Sequence, residues 1–471
     1  MFPYIYKRLT HTLSTDESVK TMSFAFNSNN IFLLYEKKIY MTGLVKMYVH
    51  GQHVRVPMPV QVYSRELQDN RFVHIASCTS AFPYGGGACA ISEGLHAAVY
   101  CWGRNDSEQQ GPHSTASDPS GHAVHVCCRR PIKRGREYFR GETPVSSAST
   151  PHTLLILTTE GGLWFSGVCP IDKHTPGLEH VPPWGFAQIP PHLFNGATIT
   201  SVAAARFHYV AACSNGCVYV WGKNENFALA EKFDGPDHVN PHLKERVFFE
   251  GKFISRVFAG DNHSVALSSD GNLFEWGQIH SKTRIHVNGT IRIFGNVKPS
   301  RVRGTDADFG ENSVQTASCG AKFVLVLDRH RRVWSYGLGT SGELGLARIK
   351  SSHRPLRLDT FTDADDVVTE ISAGNCNSAA LTQNGSVYVW GRQHVRHASG
   401  HPMHVTMSTR HASEWGLVDL PMCIMRRDAP LSQEKRNAII NVLHPDMGGD
   451  AEMHALSAEL VNMILDHRST H

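Results

Sequence analysis

Charge of one sign is what this 471-residue sequence lacks. Its 46 lysines and arginines stand against 42 aspartates and glutamates, a formal net charge of +4. So even a balance excludes a protein that holds nucleic acid through bulk positive charge. Long apolar runs are missing as well. No stretch of about 18 apolar residues occurs, so no membrane-spanning helix is expected. The 11 cysteines contain no C-x-x-C pair, and apart from Cys127-Cys128 they are scattered. That pattern fits reduced, buried thiols and excludes a disulfide framework. Phosphate-binding, dinucleotide-binding and hydrolase signatures are absent too: there is no P-loop, no Rossmann fingerprint, no Gly-x-Ser-x-Gly elbow and no His-Glu-x-x-His. The run Gly85-Gly86-Gly87 lacks a following Lys-Ser/Thr and is read as an insertion. Neither covalent catalysis nor a cofactor is expected.

What is present is repetition. Residues 254–277, ISRVFAGDNHSVALSSDGNLFEWG, read as two strands around a tight turn, with Asp270-Gly271 supplying the positive φ angles of a two-residue hairpin. The same order recurs at 22–43, 73–103, 145–167, 199–222, 314–337 and 368–391. The closing glycines, Gly43, Gly103, Gly167, Gly222, Gly277, Gly337 and Gly391, fall 54 to 64 residues apart, a propeller-like period. Trp102, Trp221, Trp276 and Trp390 each precede one of them. A small antiparallel sheet cannot bury both faces alone, whereas radially stacked sheets cover one another. The fold expected is all-β, a seven-bladed β-propeller followed by a small α-helical hairpin. Its boundaries are an N-terminal segment at 1–20, the propeller at 21–427 and the helical tail at 428–471. The N-terminal segment has Lys7 and Arg8 but no Arg-rich amphipathic pattern, so it is expected to be an ordinary first strand or end.

The pattern small-Ala-Gly-x-x-His, apolar strand, Asp-Gly, Val-Tyr-x-Trp-Gly resembles the repeat of the regulator-of-chromosome-condensation family. Asn224 after Trp221-Gly222, and Gly342-Glu343-Leu344-Gly345 after the sixth copy, fit the trailing part of that repeat. The likeness covers about residues 20–425 and is strongest in the last four copies. The repeat histidine falls at His152, His208 and His263, with Phe323 and Asn377 in its place in the last two copies. Recurrence at one place in the repeat points to a brace within the blade rather than to a site. Founding members of the family exchange nucleotide on the small GTPase Ran and bind chromatin. The resemblance therefore implies a protein-interaction scaffold or, as the alternative, a guanine-nucleotide exchange factor for a Ran-like small GTPase or a chromatin-associated regulator.

The tail is a different kind of sequence. Ser432 to Leu443 and the stretch after Asp450 have helical apolar spacing, and Pro445 with Gly448-Gly449 breaks the chain between them. The linking His444-Pro445-Asp446 resembles the loop of a J-domain, which docks seventy-kilodalton heat-shock chaperones. In that reading Lys435 and Arg436 supply the positive charge on the preceding helix. Met447 stands where that family usually has lysine.

Two further clusters stand out. Arg129, Arg130, Lys133, Arg134, Arg136 and Arg140, with Tyr138 and Phe139, read as a basic inter-blade connector for an acidic partner or nucleic acid. His394, His397, His401, His404 and His411 follow the last blade, where Gly400 and Pro402 point to a loop and nothing completes a metal shell. The function expected is a non-catalytic scaffold: protein partners on the rim loops, a chaperone on the tail, and a small GTPase in the exchange-factor alternative. Reduced thiols place it inside the cell, in cytoplasm, nucleus or mitochondrion alike.

Overall fold

The computed structural model describes residues 22–405 except 27–29, 36, 47–52, 62–66, 68–69, 78–87, 105–126, 179–184, 225–226, 232–236, 280–283, 288–289, 294–295, 305–308, 347–348, 362–366, 384–385 and 392–398. The chain forms an all-β propeller. Among the described residues there are seven four-stranded antiparallel sheets and one two-stranded ribbon. In chain order the sheets cover residues 22–61, 72–134, 144–188, 199–244, 254–301, 314–357 and 368–405. Six are built from four consecutive strands. The fifth takes its outer strand only after the ribbon Arg284–Val287 and Thr290–Ile293. Strand Met22–Phe26 of the first sheet packs on Val368–Ala373 of the last, which closes the ring.

Within each sheet the second strand explains the apolar runs of the sequence. Thr153–Thr158, His208–Cys213, His263–Ser268, Phe323–Asp328 and Asn377–Thr382 are buried along their whole length. A sheet sandwiched between two others has no solvent face, so its central strand reads as continuous rather than alternating hydrophobicity. The core is accordingly divided into layers between neighbouring sheets. One layer joins Leu155 and Phe165 to Tyr209 and Trp221, and the next joins Val210 and Val220 to Val257 and Trp276.

Phenylalanines on the connectors wedge these layers together. Short 3-10 turns end in Phe139, Phe194 and Phe249, all buried. Each ring meets the tryptophan of the following sheet edge-on: Phe139 and Trp164 at 5.8 Å, Phe194 and Trp221 at 6.0 Å, Phe249 and Trp276 at 6.0 Å. Phe309 with Trp334 at 5.2 Å and Phe361 with Trp390 at 6.0 Å continue the series. Such contacts add about 0.5–1.5 kcal/mol each beyond the area they bury.

The hairpin at Asp270-Gly271 differs from the two-residue turn expected. Leu267 pairs with Leu273, Ser268 donates its N–H to Asn272, and Gly271 donates to Ser268. The loop is therefore Ser269-Asp270-Gly271, and only Gly271 has positive φ, +96°. This is a type I turn followed by a left-handed residue, the common three-residue hairpin.

The outer strands share a device of their own. In the fourth sheet Val220 pairs with His242 and Gly222 with His238, so two extra residues bulge between successive pairs. The same excess occurs in the first, second, fifth, sixth and seventh sheets. In every case proline sits inside the bulge: Pro59, Pro131, Pro241, Pro299, Pro355 and Pro402. Proline cannot donate to a ladder, and an edge bulge is where that lack is harmless.

Candidate interaction surface

Antiparallel order sorts the loops onto two faces. The first-to-second and third-to-fourth strand loops lie on one face; the hairpin turns and the 3-10 connectors lie on the other. On the first face, backbone bonds join the loops of neighbouring sheets. Asp261 donates its N–H to Ala321 at 3.1 Å, and Ala321 donates to Asn375 at 3.3 Å. The loops of the fifth, sixth and seventh sheets thus form one hydrogen-bonded arc.

Charge concentrates on this face, where the fourth sheet's loops carry the arc further. The Arg206 guanidinium stands 4.7 Å and the Lys223 ammonium 5.1 Å from the centre of the Phe207 ring, within cation–π range. Arg206, Lys223 and Lys322 are exposed. Asp261, between them in chain order, has its carboxyl raised to about 6 by burial, partly offset by the positive charges of Arg206 and Lys322. Two of the three cations, Arg206 and Lys322, therefore act on one buried acid.

The inner edges of the sheets are tied by side chains. His74 Nε2 accepts the Ser147 N–H at 3.1 Å, Ser201 Oγ accepts the Val257 N–H at 3.2 Å, and Ser318 Oγ accepts the Ala373 N–H at 2.9 Å. Each bond satisfies an edge donor of the next sheet. An acceptor nitrogen requires a neutral ring, and burial lowers His74 to about 4. Glu370, on the inner strand of the seventh sheet, is pushed up to about 8 by burial.

The repeat positions take three forms. His208 and His263 are buried at the start of their strands, opposite Gly222 and Gly277. Phe323 and Asn377 occupy the same register opposite Gly337 and Gly391. His152 does not. It is exposed, and Thr153 takes the register opposite Gly167 because the loop of the third sheet places the histidine one residue early. Trp102, Trp221, Trp276 and Trp390 are all buried. Trp276 Nε1 donates to the Ala228 carbonyl and Trp390 Nε1 to the Glu343 carbonyl, both at 2.8 Å, binding each ring to the loop of the preceding sheet.

The basic stretch is not one free connector. Cys127–Arg134 is the outer strand of the second sheet, and carries Arg129 and Arg130. Arg134 is buried with its guanidinium over Tyr138, and Arg136 caps the following 3-10 turn by donating to the Gly141 carbonyl, Nε at 2.7 Å. Arg246 does the same to Gly251 two sheets on. Lys133 and Arg140 are exposed. Residues His401 and His404 lie on the strand Ser399–Val405, not in a loop, since Pro402 sits in the bulge. Positions 394, 397 and 411, and the tail residues Lys435, Arg436, His444, Pro445 and Asp446, lie outside the described residues.

One cluster escaped the sequence reading. Glu231, His238 and His242 bring three ligand-type atoms within 4.8 Å of one another. Glu231 also contacts the buried Lys244, and these cations lower its carboxyl against the effect of burial. Among the described residues no helix is long and apolar enough to cross a membrane.

Residues 199–227 and 368–395 match a family model described as the Regulator of chromosome condensation (RCC1) repeat, and 215–267 match a second model of the same description. The chain carries RCC1 repeats. It is 29% identical to human Protein RCC2 over 272 residues, 54% of this chain and 50% of that protein. It is 28% identical to the Ultraviolet-B receptor UVR8 of Arabidopsis thaliana over 206 residues, 44% of each. The chain thus spans half or less of these curated relatives. Among solved structures, Prp20p of Saccharomyces cerevisiae matches with a TM-score of 0.57 at 18% identity, covering 78% of this chain and 83% of that one. That likeness shows the fold.

Proposed function

We propose that this RCC1-repeat propeller is a protein-interaction platform, and that the arc of Arg206, Phe207, Lys223, Asp261 and Lys322 is its docking surface. The observation that carries the reading is the arc itself. Its cations project from loops of the fourth and sixth sheets, and backbone bonds tie the fifth sheet's loop to the sixth's and the sixth's to the seventh's. Exposed cations beside an aromatic ring suit an acidic protein segment, because complementary charge steers and orients it on this face. The solved relative Prp20p is titled for its binding to Gsp1p and histones, which supports a protein ligand for this fold. No covalent step is assigned.

The test compares tagged wild-type protein with the Arg206→Glu, Lys322→Glu double variant in its own cells. Partners captured by the wild type and lost from a folded variant support the reading; identical partner sets overturn it. Faster nucleotide release from a Ran-like GTPase, abolished by the same variant, would assign exchange activity to this arc. Chaperone recruitment through His444-Pro445-Asp446 is a separate proposal, resting on sequence. Loss of a seventy-kilodalton heat-shock chaperone from the His444→Gln capture supports it, and its absence from the wild-type capture removes it.

A further inference from the structure

We infer that Glu231, His238 and His242 form a binding site for a divalent transition-metal ion of the zinc class on the outer rim of the fourth sheet. Residues four apart on a regular strand lie about 13 Å apart, yet here the two imidazole centres are 4.3 Å apart with planes 3° from parallel. The two-residue excess opposite Val220 and Gly222 folds His238 back over His242.

Of the six sheets sharing this bulge, only the fourth has histidine at both flanking positions. The corresponding pairs elsewhere are Val56 and Val60, Cys128 and Ile132, Asn296 and Ser300, Ser352 and Leu356, and Ser399 and Met403. The fold supplies the juxtaposition everywhere, and the sequence supplies ligands once.

The bulge is pinned before any ion arrives. Asn240 Oδ1, between the two histidines, accepts the Asp172 N–H at 3.1 Å and the Thr175 hydroxyl at 3.3 Å, both from the preceding sheet's loop. Both histidine Nε2 atoms stand 3.7 Å from the same Glu231 Oε1. Ligand atoms about 2.0–2.2 Å from a tetrahedral zinc ion are about 3.3–3.6 Å apart, so rotation of one imidazole out of the parallel stack, with a small closure, brings three donors to corners of that shell. The Nε2 of His238 is also enclosed, without a hydrogen-bond partner. With the ring proton on Nδ1 that nitrogen is an acceptor, and a cation satisfies it.

Lys244 is the competitor. Its ammonium, on a side chain 3% exposed, contacts the same Oε1. An incoming cation must take that oxygen from the lysine. A ligand role for Glu231 therefore predicts that removing the lysine charge tightens binding, an effect no purely structural role produces.

The experiment titrates Zn²⁺ into the full chain by calorimetry after chelator treatment. One site per chain is expected, weakened at least tenfold in His242→Gln and in His238→Gln and tightened in Lys244→Met. His242 is half exposed, so its variant is expected to keep the wild-type melting temperature in EDTA, separating a lost ligand from a lost fold. Zinc should raise the melting temperature of the wild type and not of His242→Gln. Absence of zinc binding, unchanged binding in both histidine variants, or weaker binding in Lys244→Met each overturns the assignment.

Discussion

His208 of the fourth sheet and Ser264 of the fifth stand 2.9 Å apart, ring Nε2 to hydroxyl oxygen, and both are buried. The Ser264 hydroxyl donates to the Ala228 carbonyl at 3.2 Å, so its lone pair receives the Nε2–H of a neutral imidazole. The same carbonyl accepts Trp276 Nε1. A histidine, a serine, a tryptophan and one loop carbonyl thereby latch two sheets together.

This latch makes stability pH-dependent. Burial lowers His208 to about 4 from an ordinary value of 6.5, so the folded state binds fewer protons than the unfolded state between those values. Its contribution is intact above about 6.5 and is lost as pH falls toward 4, roughly 3 kcal/mol in all at 1.36 kcal/mol per pH unit. Urea unfolding midpoints at pH 7.5 and 4.5 should therefore fall steeply for the wild type. In His208→Gln the midpoint at pH 7.5 should be lower and the drop on acidification shallower. An equal drop in both proteins would place the acid sensitivity elsewhere.

The glycines separate two causes of sequence restriction. Gly277 has φ +89°, and a Cβ there would lie 2.5 Å from the Asn262 carbonyl oxygen and 2.7 Å from His263 Cα. Gly251 has φ +75° with nothing within 4 Å. Left-handed strain alone costs about 1–2 kcal/mol, and forced backbone overlap adds about 1–3 kcal/mol. Gly251→Ala should thus cost about 1–2 kcal/mol and Gly277→Ala about 2–5 kcal/mol, read as shifts in the urea midpoint. Equal losses would show that conformation alone selects these residues.

Arg331 gives the opposite sign. It is the left-handed residue of the sixth sheet's hairpin, with φ 66°, where the fifth sheet has Gly271. Arg331→Gly should raise stability by about 1 kcal/mol, because the strain of a side chain at that φ exceeds the entropy cost of glycine. A lower melting temperature would mean that the Arg331 side chain makes contacts worth more than the strain.

What could be read from the chain beforehand followed from periodicity. Closing glycines and Trp-Gly pairs recur because each marks a place where a side chain meets backbone or a neighbouring sheet, as at Gly277 and Trp276. Two equally regular signals went unread. Pro241 and its five counterparts mark the edge bulges, and Phe249 and its counterparts mark the wedges. Both follow third-to-fourth-strand loops whose length varies, so they fall out of register when the strands are aligned. His152 shows the same effect in miniature, one residue away from the position that Thr153 holds. The docking arc was invisible for a stronger reason. Arg206, Asp261 and Lys322 are more than fifty residues apart from one to the next, and only the stacking of consecutive sheets makes them neighbours.

That neighbourhood predicts how docking responds to pH. Asp261 titrates near 6, raised by burial and held back by Arg206 and Lys322. Below that value it is neutral and leaves the full positive charge of the arc to an acidic ligand. Above it the carboxylate offsets one cation and repels the ligand's own acids. Affinity for an acidic partner segment should therefore fall as pH rises from 5 to 7. Asp261→Asn should abolish the fall and bind at pH 7 as the wild type does at pH 5, since one repulsive charge is removed and both cations stay exposed. The measurement is fluorescence anisotropy with a partner peptide at fixed ionic strength, because screening alone changes these affinities. A pH profile shared by wild type and Asp261→Asn would remove Asp261 from the docking surface while leaving the cations to be tested by charge reversal.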